Sequence, residues 1–421
     1  MKDSIWLNLT RFSKPSNASH SEINMRHLAI IICITALAAS FAVPVDAAQN
    51  GEQQWLSYKN SSDAEKVIGA TPGQSLEVLS EHPETATLPD VPRNAMFAKW
   101  KTPMVEQGFL WVAVLNDKES RKARLWIDAD CDGSLADEAP VEAVKSQGYG
   151  SHHMSSFQAV RVVFPTADGP VAFHLDFDFR VSGSQAWQLS AAAAGWYEGP
   201  VTIGDAQGRC ILFDANANGA FDDACLNVAQ SDRIRLDIGE KLMIGRVGRY
   251  IQVGDVLHQL HVARDGAFVA FSPTASDALA TLKVPAGVTQ LSIGGENGLL
   301  FLKPKDGAIG CPPGRYRLNH WEMTHSGTGG PWEMIGVLPA NPFEFSLESG
   351  EPIELDIGEP IVGEFFAEKN GKAWSFANPS LTGRHGERIS ITRAGNQPPA
   401  PMVRITNGDG SYNHRFNFEY G

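Results

Sequence analysis

The chain of 421 residues is long enough for two to four domains with cores of their own, and 43% hydrophobic with 20% charged residues is ordinary for globular protein. Its formal net charge of −13 argues against nucleic acid and anionic membrane surfaces as partners, and suits a soluble protein that meets divalent cations.

Residues 28–43 (LAIIICITALAASFAV) form one apolar run, preceded by Arg26 and His27 and followed by Pro44, Ala47 and Ala48. A basic flank, a short apolar stretch and small residues behind it predict a signal peptide over 1–48, with Met25 as an alternative start. The run is too short for a comfortable span, so no stable membrane span is expected after its removal. The expected location is secreted, periplasmic or cell-surface. Export leaves Cys131, Cys210, Cys225 and Cys311, whose pairing sequence alone does not choose. A Cys210–Cys225 bridge would close the stem of the second loop below.

Residues 49–95 are polar with scattered proline and read as a linker or lead-in, with a short helix over 62–67. From 96 to 185 a β module is predicted. FLWVAVL (109–115) and ARLWID (123–128) are strand-like runs around a charged turn. The second run delivers Asp128-Ala129-Asp130-Cys131-Asp132-Gly133-Ser134-Leu135-Ala136-Asp137-Glu138. Alternate carboxylates followed at once by glycine can converge on one hard cation as the backbone turns. The candidate ligands are Asp128, Asp130 and Asp132, the carbonyl of Ser134, and Asp137 or Glu138. Farther on, FQAVRVVF (157–164) and VAFHLDFDFR (171–180) flank a Pro/Gly turn, which predicts a hairpin. His174, Asp176 and Asp178 share one face there, but same-face neighbours stand about 6–7 Å apart, which favours a solvated polar face over a metal stripe.

From 186 to 275 the scheme repeats. WYEGPVTI (196–203) and CILF (210–213) run into Asp214-Ala215-Asn216-Ala217-Asn218-Gly219-Ala220-Phe221-Asp222-Asp223. The candidate ligands are Asp214, Asn216 and Asn218, the carbonyl of Ala220, and Asp222 or Asp223. Both loops keep glycine at position six and an apolar residue at position eight. His258 and His261 would point to opposite faces of a strand and do not make a chelating pair. From 276 to 421 a further β region follows, with a strong hairpin turn at Asn407-Gly408-Asp409-Gly410. Short strands with Gly, Pro or Asp turns between them predict an all-β protein of several antiparallel β-sandwich or β-meander modules.

Both loops resemble the calcium loops of dockerin-like and thrombospondin type 3-like proteins, where D-x-[DN]-x-[DN]-G occurs outside a full EF-hand. The resemblance covers each loop alone and implies calcium as the cofactor, bound by the residues named above. An EF-hand carries a bidentate glutamate at position twelve; here Ala139 and Cys225 stand there, so acidic residues slightly earlier must substitute. That implies weak binding, about 10⁻⁴–10⁻³ M. Separately, CPPGRYRL (311–318) resembles the strand entry of transthyretin-like, carboxypeptidase-regulatory-type domains, which implies an Ig-like or transthyretin-like sandwich in the C-terminal part. The whole chain is similar to secreted bacterial β-proteins with aspartate-loop calcium sites, a class that fixes no activity.

The sequence holds no G-x-S-x-G, H-E-x-x-H, Walker or dinucleotide motif. The expected role is structural, surface or binding, with calcium and a glycan or extracellular protein as partners. The alternative is a secreted carbohydrate-active protein, lectin or glycoside hydrolase, with Trp321 and Trp332 offered to a sugar.

Overall fold

Apolar residues on both faces of the strand Phe109–Asp117 dictate its place in the molecule. Leu110, Val112 and Val114 enter the main core, while Trp111, Ala113 and Leu115 form a smaller cluster with Phe97, Trp126 and Leu135. A strand buried on both sides reads as a continuous apolar run, which is what 109–115 shows. In a computed structural model, the described residues are 51–417 without 62–65, 68, 70–72, 80–82, 84–93, 118–121, 150–151, 184–185, 240, 329, 339–342, 371–372 and 401. The expected signal peptide and most of the helix expected over 62–67 lie outside the described residues.

The fold is all-β. One nine-stranded sheet runs, edge to edge, through Val141–Glu142, Lys122–Ile127, Phe109–Asp117, Met96–Lys101, Gln74–Leu79, Ala186–Ala193, Gly169–Ser182, His152–Thr166 and Lys145–Tyr149. A five-stranded sheet orders Lys241–Arg246, Arg233–Ile238, Ala206–Phe213, Gly195–Ile203 and Ser57–Asn60. A four-stranded sheet orders Gln54–Trp55, Phe268–Pro273, Val256–Val262 and Tyr250–Val253. All three contribute to a single core that runs from Leu56 to Phe271. Strand Gly169–Ser182 alternates as its sequence demands, with Phe173, Leu175, Phe177 and Phe179 buried and His174, Asp176 and Asp178 only half-buried.

Two expectations about organisation need correction. The described parts of the lead-in 49–95 hold sheet strands: Gln54–Trp55 pairs with Phe268–Pro273 and Ser57–Asn60 with Gly195–Ile203. Gln74–Leu79 lies between Ala186–Ala193 and Met96–Lys101. These strands bury little of their own surface, so their sequences are polar. The boundary expected between residues 185 and 186 falls inside the hairpin of Gly169–Ser182 and Ala186–Ala193, and the two expected modules share one core.

A second core is built from residues between Ala280 and Ile389. Its main sheet has eight strands, and a three-stranded sheet beside it contains a parallel pair, Ala280–Lys283 with Ile353–Glu354. The Tyr316 hydroxyl donates to the Pro312 carbonyl at 2.7 Å and accepts from Asn297 Nδ2 at 2.8 Å, fixing the strand entry at 311–318. Trp321 is wholly buried and donates to Glu387 Oε1 at 3.1 Å, so it belongs to the core and is closed to a sugar. The four cysteines are free, and the bridge expected between Cys210 and Cys225 is absent. Cys210 points into the core, whereas Cys225 sits on a half-buried return whose N–H donates to Ser231 Oγ.

Trp100 joins the first core to the second loop. Its ring stacks on Phe173 at 6.1 Å, and its Nε1 donates to the Ala217 carbonyl at 2.6 Å. Trp100→Phe keeps most of the packing and strands that buried carbonyl. Chemical denaturation should show a loss of about 1–3 kcal/mol.

Candidate metal centre

Each loop is delivered by the second strand of a hairpin: Lys122–Ile127 pairs with Phe109–Asp117, and Ala206–Phe213 pairs with Gly195–Ile203. From there the two backbones make the same turn. Position four is left-handed in both, at φ 65° for Cys131 and 55° for Ala217, and position six is glycine at φ 89° in both. The glycine N–H donates to Oδ2 of the first aspartate, at 3.0 Å in loop one and 2.7 Å in loop two. The N–H at position seven donates to the side-chain oxygen at position five, Ser134 to Asp132 at 2.7 Å and Ala220 to Asn218 at 2.8 Å. The apolar residue at position eight anchors each loop. Leu135 enters the small cluster, and Phe221 meets Tyr197 edge-on in the main core.

In loop one Asp128 is wholly buried and its Oδ1 has no hydrogen-bond partner. Oxygens of Asp128, Asp130 and Asp132 all lie within 4.8 Å of one another, the one such acidic group among the described residues. Oxygens bound to one calcium ion at roughly 2.3–2.6 Å can be no farther apart than about this. Burial, and then the neighbouring Asp132 and Asp130, push Asp128 up to about 6. Glu138 turns back to accept from Ala129 N at 2.5 Å, while Asp137 is exposed. The loop rests on strand His152–Thr166, where Val163 N donates to the Ala129 carbonyl at 2.7 Å.

Loop two is more deeply set. Asp214 is wholly buried, and both its Oδ1 and Asn216 Oδ1 lack partners. Asp223 turns inward, its Oδ2 accepting from Asn216 Nδ2 at 2.8 Å and Asn218 Nδ2 at 2.6 Å. Asp222 instead faces Arg264 at 3.9 Å. Burial pushes Asp214 up to about 7 and raises Asp232 beside it. For the two asparagines to serve a cation, their side chains must turn so that oxygen rather than NH₂ faces Asp223.

Asp232 is the residue that sequence reasoning missed. It is wholly buried, and its two oxygens accept from Ala215 N at 3.0 Å and Asp223 N at 2.9 Å. It does for position two of loop two what Glu138 does in loop one, from a later segment of the chain. Its own stretch of sequence carries no motif; it is the pairing of Arg233 with Phe213 that sets the preceding Asp232 beside Asp214.

The other candidate groups are occupied within the sheets. Asp176 Oδ1 accepts from Ala159 N at 2.7 Å, Asp178 Oδ1 from Ser156 Oγ at 2.7 Å, and His174 Nδ1 lies 3.2 Å from the Tyr58 hydroxyl. His258 and His261 stand on strand Val256–Val262, as three-residue spacing on opposite faces requires. Comparison with known proteins finds no matching family model, no matching curated protein and no matching solved structure.

Glycine at position six should not be equally replaceable. A Cβ at Gly133 would meet nothing within 4 Å, whereas one at Gly219 would lie 2.9 Å from the Phe164 ring. Both alanine variants carry left-handed strain of about 1–2 kcal/mol, and denaturant titration should find Gly219→Ala the more destabilised. The aspartates also set a pH dependence in metal-free protein. Asp128 and Asp214 hold their protons more tightly when folded than the ordinary 3.8 of a free aspartate, so their contribution is present below about pH 4 and lost as pH rises through about 6 and 7. Melting temperature without metal should therefore fall over pH 4–7, and Asp128→Asn with Asp214→Asn should flatten that slope.

Proposed function

We propose that the protein is an exported β-protein stabilised by calcium at both loops, with a structural, surface or binding role and no catalysis of its own. One observation carries this reading: two loops of the same backbone geometry each begin with a wholly buried aspartate whose Oδ1 has no partner. Burying a carboxylate with one oxygen left unpartnered is costly, and a bound cation offsets that cost. An all-oxygen donor set excludes a soft-metal preference. Carboxylates, amides and carbonyls on a flexible loop suit calcium better than magnesium, which demands tight octahedral geometry.

Asp128, Asp130, Asp132 and Ser134, with Glu138 or Asp137, would hold the ion of loop one. Asp214, Asn216, Asn218, Ala220 and Asp223, with Asp222 as the alternative to Asp223, would hold that of loop two. When bound, the ion neutralises carboxylates that otherwise repel, so calcium favours the folded chain. The predicted signal peptide supports an extracytoplasmic setting, where calcium is abundant. A second reading, carbohydrate binding, is supported by a cleft beside loop two that Gln74, Lys101, Gln230, Asn216, Asn218 and Asp223 help to line.

Calorimetric melting with calcium and with chelator tests the proposal. Calcium at a hundredfold excess over Kd adds about 2.7 kcal/mol per site, which corresponds to a rise of about 5–10 °C. Asp128→Ala and Asp214→Ala should each remove part of the rise and together abolish it. Identical melting with calcium and with chelator would sink the reading.

A further inference from the structure

The cleft beside loop two has a volume of about 860 Å³, within the roughly 300–1,000 Å³ of small-molecule sites. Gln74, Lys101 and Gln230 line it together with Asn216, Asn218 and Asp223 of loop two. The Gln74 part of the lining is preformed. Gln74 binds the Lys101 backbone through both ends of its amide, accepting from the N–H at 2.8 Å and donating to the carbonyl at 2.9 Å. Lys101 is exposed, and its ammonium makes no ion pair among the described residues. Gln230 is tied to the loop, since Asn216 Nδ2 also approaches its carbonyl at 3.5 Å.

The chemistry of loop two leaves a cation there short of ligands. Calcium takes about six to eight oxygens. Loop two offers Asp214, Asn216, Asn218, the Ala220 carbonyl and Asp223, with cysteine rather than a bidentate glutamate at position twelve. Three of those residues line the cleft, so an ion they hold is reachable from it. In loop one the extra carboxylate, Glu138, is drawn in to the backbone, while Asp130 and Asp132 face solvent directly.

We propose that this cleft is a calcium-dependent saccharide site, in which a vicinal pair of sugar hydroxyls completes the shell of the loop-two ion. Lys101 and Gln230 donate to the remaining hydroxyls or to a uronate carboxylate. A pyranose matches the lining, with hydroxyl edges for Lys101 and Gln230 and C–H faces for Pro103 and Ala229. A hydrocarbon ligand would leave the Lys101 ammonium and the Gln230 amide without partners. The inference rests on the calcium reading of loop two, and it goes beyond that reading by assigning the ion a ligand-binding task.

The test is titration calorimetry of the protein, with calcium and with chelator, against mannose, galactose, glucose, N-acetylglucosamine and galacturonate. At least one sugar should bind the calcium-loaded protein with millimolar affinity or better. Chelation, and equally Lys101→Ala with Gln230→Ala, should weaken that binding about tenfold or more, the equivalent of about 1.4 kcal/mol. The double variant should keep the calcium-induced rise in melting temperature, because neither side chain is a loop ligand. A preference for galacturonate over galactose would place the carboxylate on Lys101, and equal binding would leave the diol as the recognised group; both outcomes support the site. Silence from every sugar, with the calcium-induced rise intact, overturns the inference and spares the metal sites. Sugar binding unchanged in the double variant overturns it too, by placing the sugar elsewhere. Loss of the calcium effect in the unaltered protein would remove the metal reading and this inference together.

Discussion

A carboxylate taken wholly out of water with one oxygen unpaired is the constraint around which this molecule is arranged. It occurs twice, at Asp128 and Asp214, each time at the end of a hairpin strand. Each aspartate gives its second oxygen to the glycine N–H five residues on, which closes the turn and holds the first oxygen inside it. Burial of the apolar residue at position eight then keeps the turn from opening. Hydrophobic packing thus forces charges together that would separate in water, and the raised proton affinity of both aspartates is the electrostatic cost of that packing.

The two loops solve the same problem differently. Loop one collects three carboxylates, two of them exposed, and carries the greater local charge. Loop two replaces two of these by asparagines, which lowers the repulsion and lets the loop sit deep in the core against Trp100, Phe164 and Tyr197. Beside its own Asp214, Asp222 and Asp223 it draws on a further carboxylate from a distance, Asp232. Such an arrangement holds only if the strand Arg233–Ile238 is already paired, so loop two is a product of tertiary structure more than of its own sequence.

That difference explains what could be read in advance. The strand alternation of 171–180, the two-sided apolar run of 109–115 and the spacing of the loop residues are local patterns, and each reappears in the fold. Asp232 was hidden because its neighbours in sequence form no motif; only the register of two strands brings it to Asp214. The strands of the lead-in were hidden for another reason. Ser57–Asn60 is nearly all surface, so backbone pairing with Gly195–Ile203 gives it structure without any apolar signature. Asp222 and Asp223 are told apart only in the fold, where Asp222 faces Arg264, another residue remote in sequence, and Asp223 turns to the two asparagines.

Strand His152–Thr166 touches both loops at adjacent residues. Val163 donates its N–H to loop one at the Ala129 carbonyl, and the ring of Phe164 lies under Gly219 of loop two. Loop one is met by the backbone edge of the strand and loop two by a side chain on its face, so the two turns share one support. They are joined through a single piece of backbone, and neither can shift without pulling on the strand that seats the other.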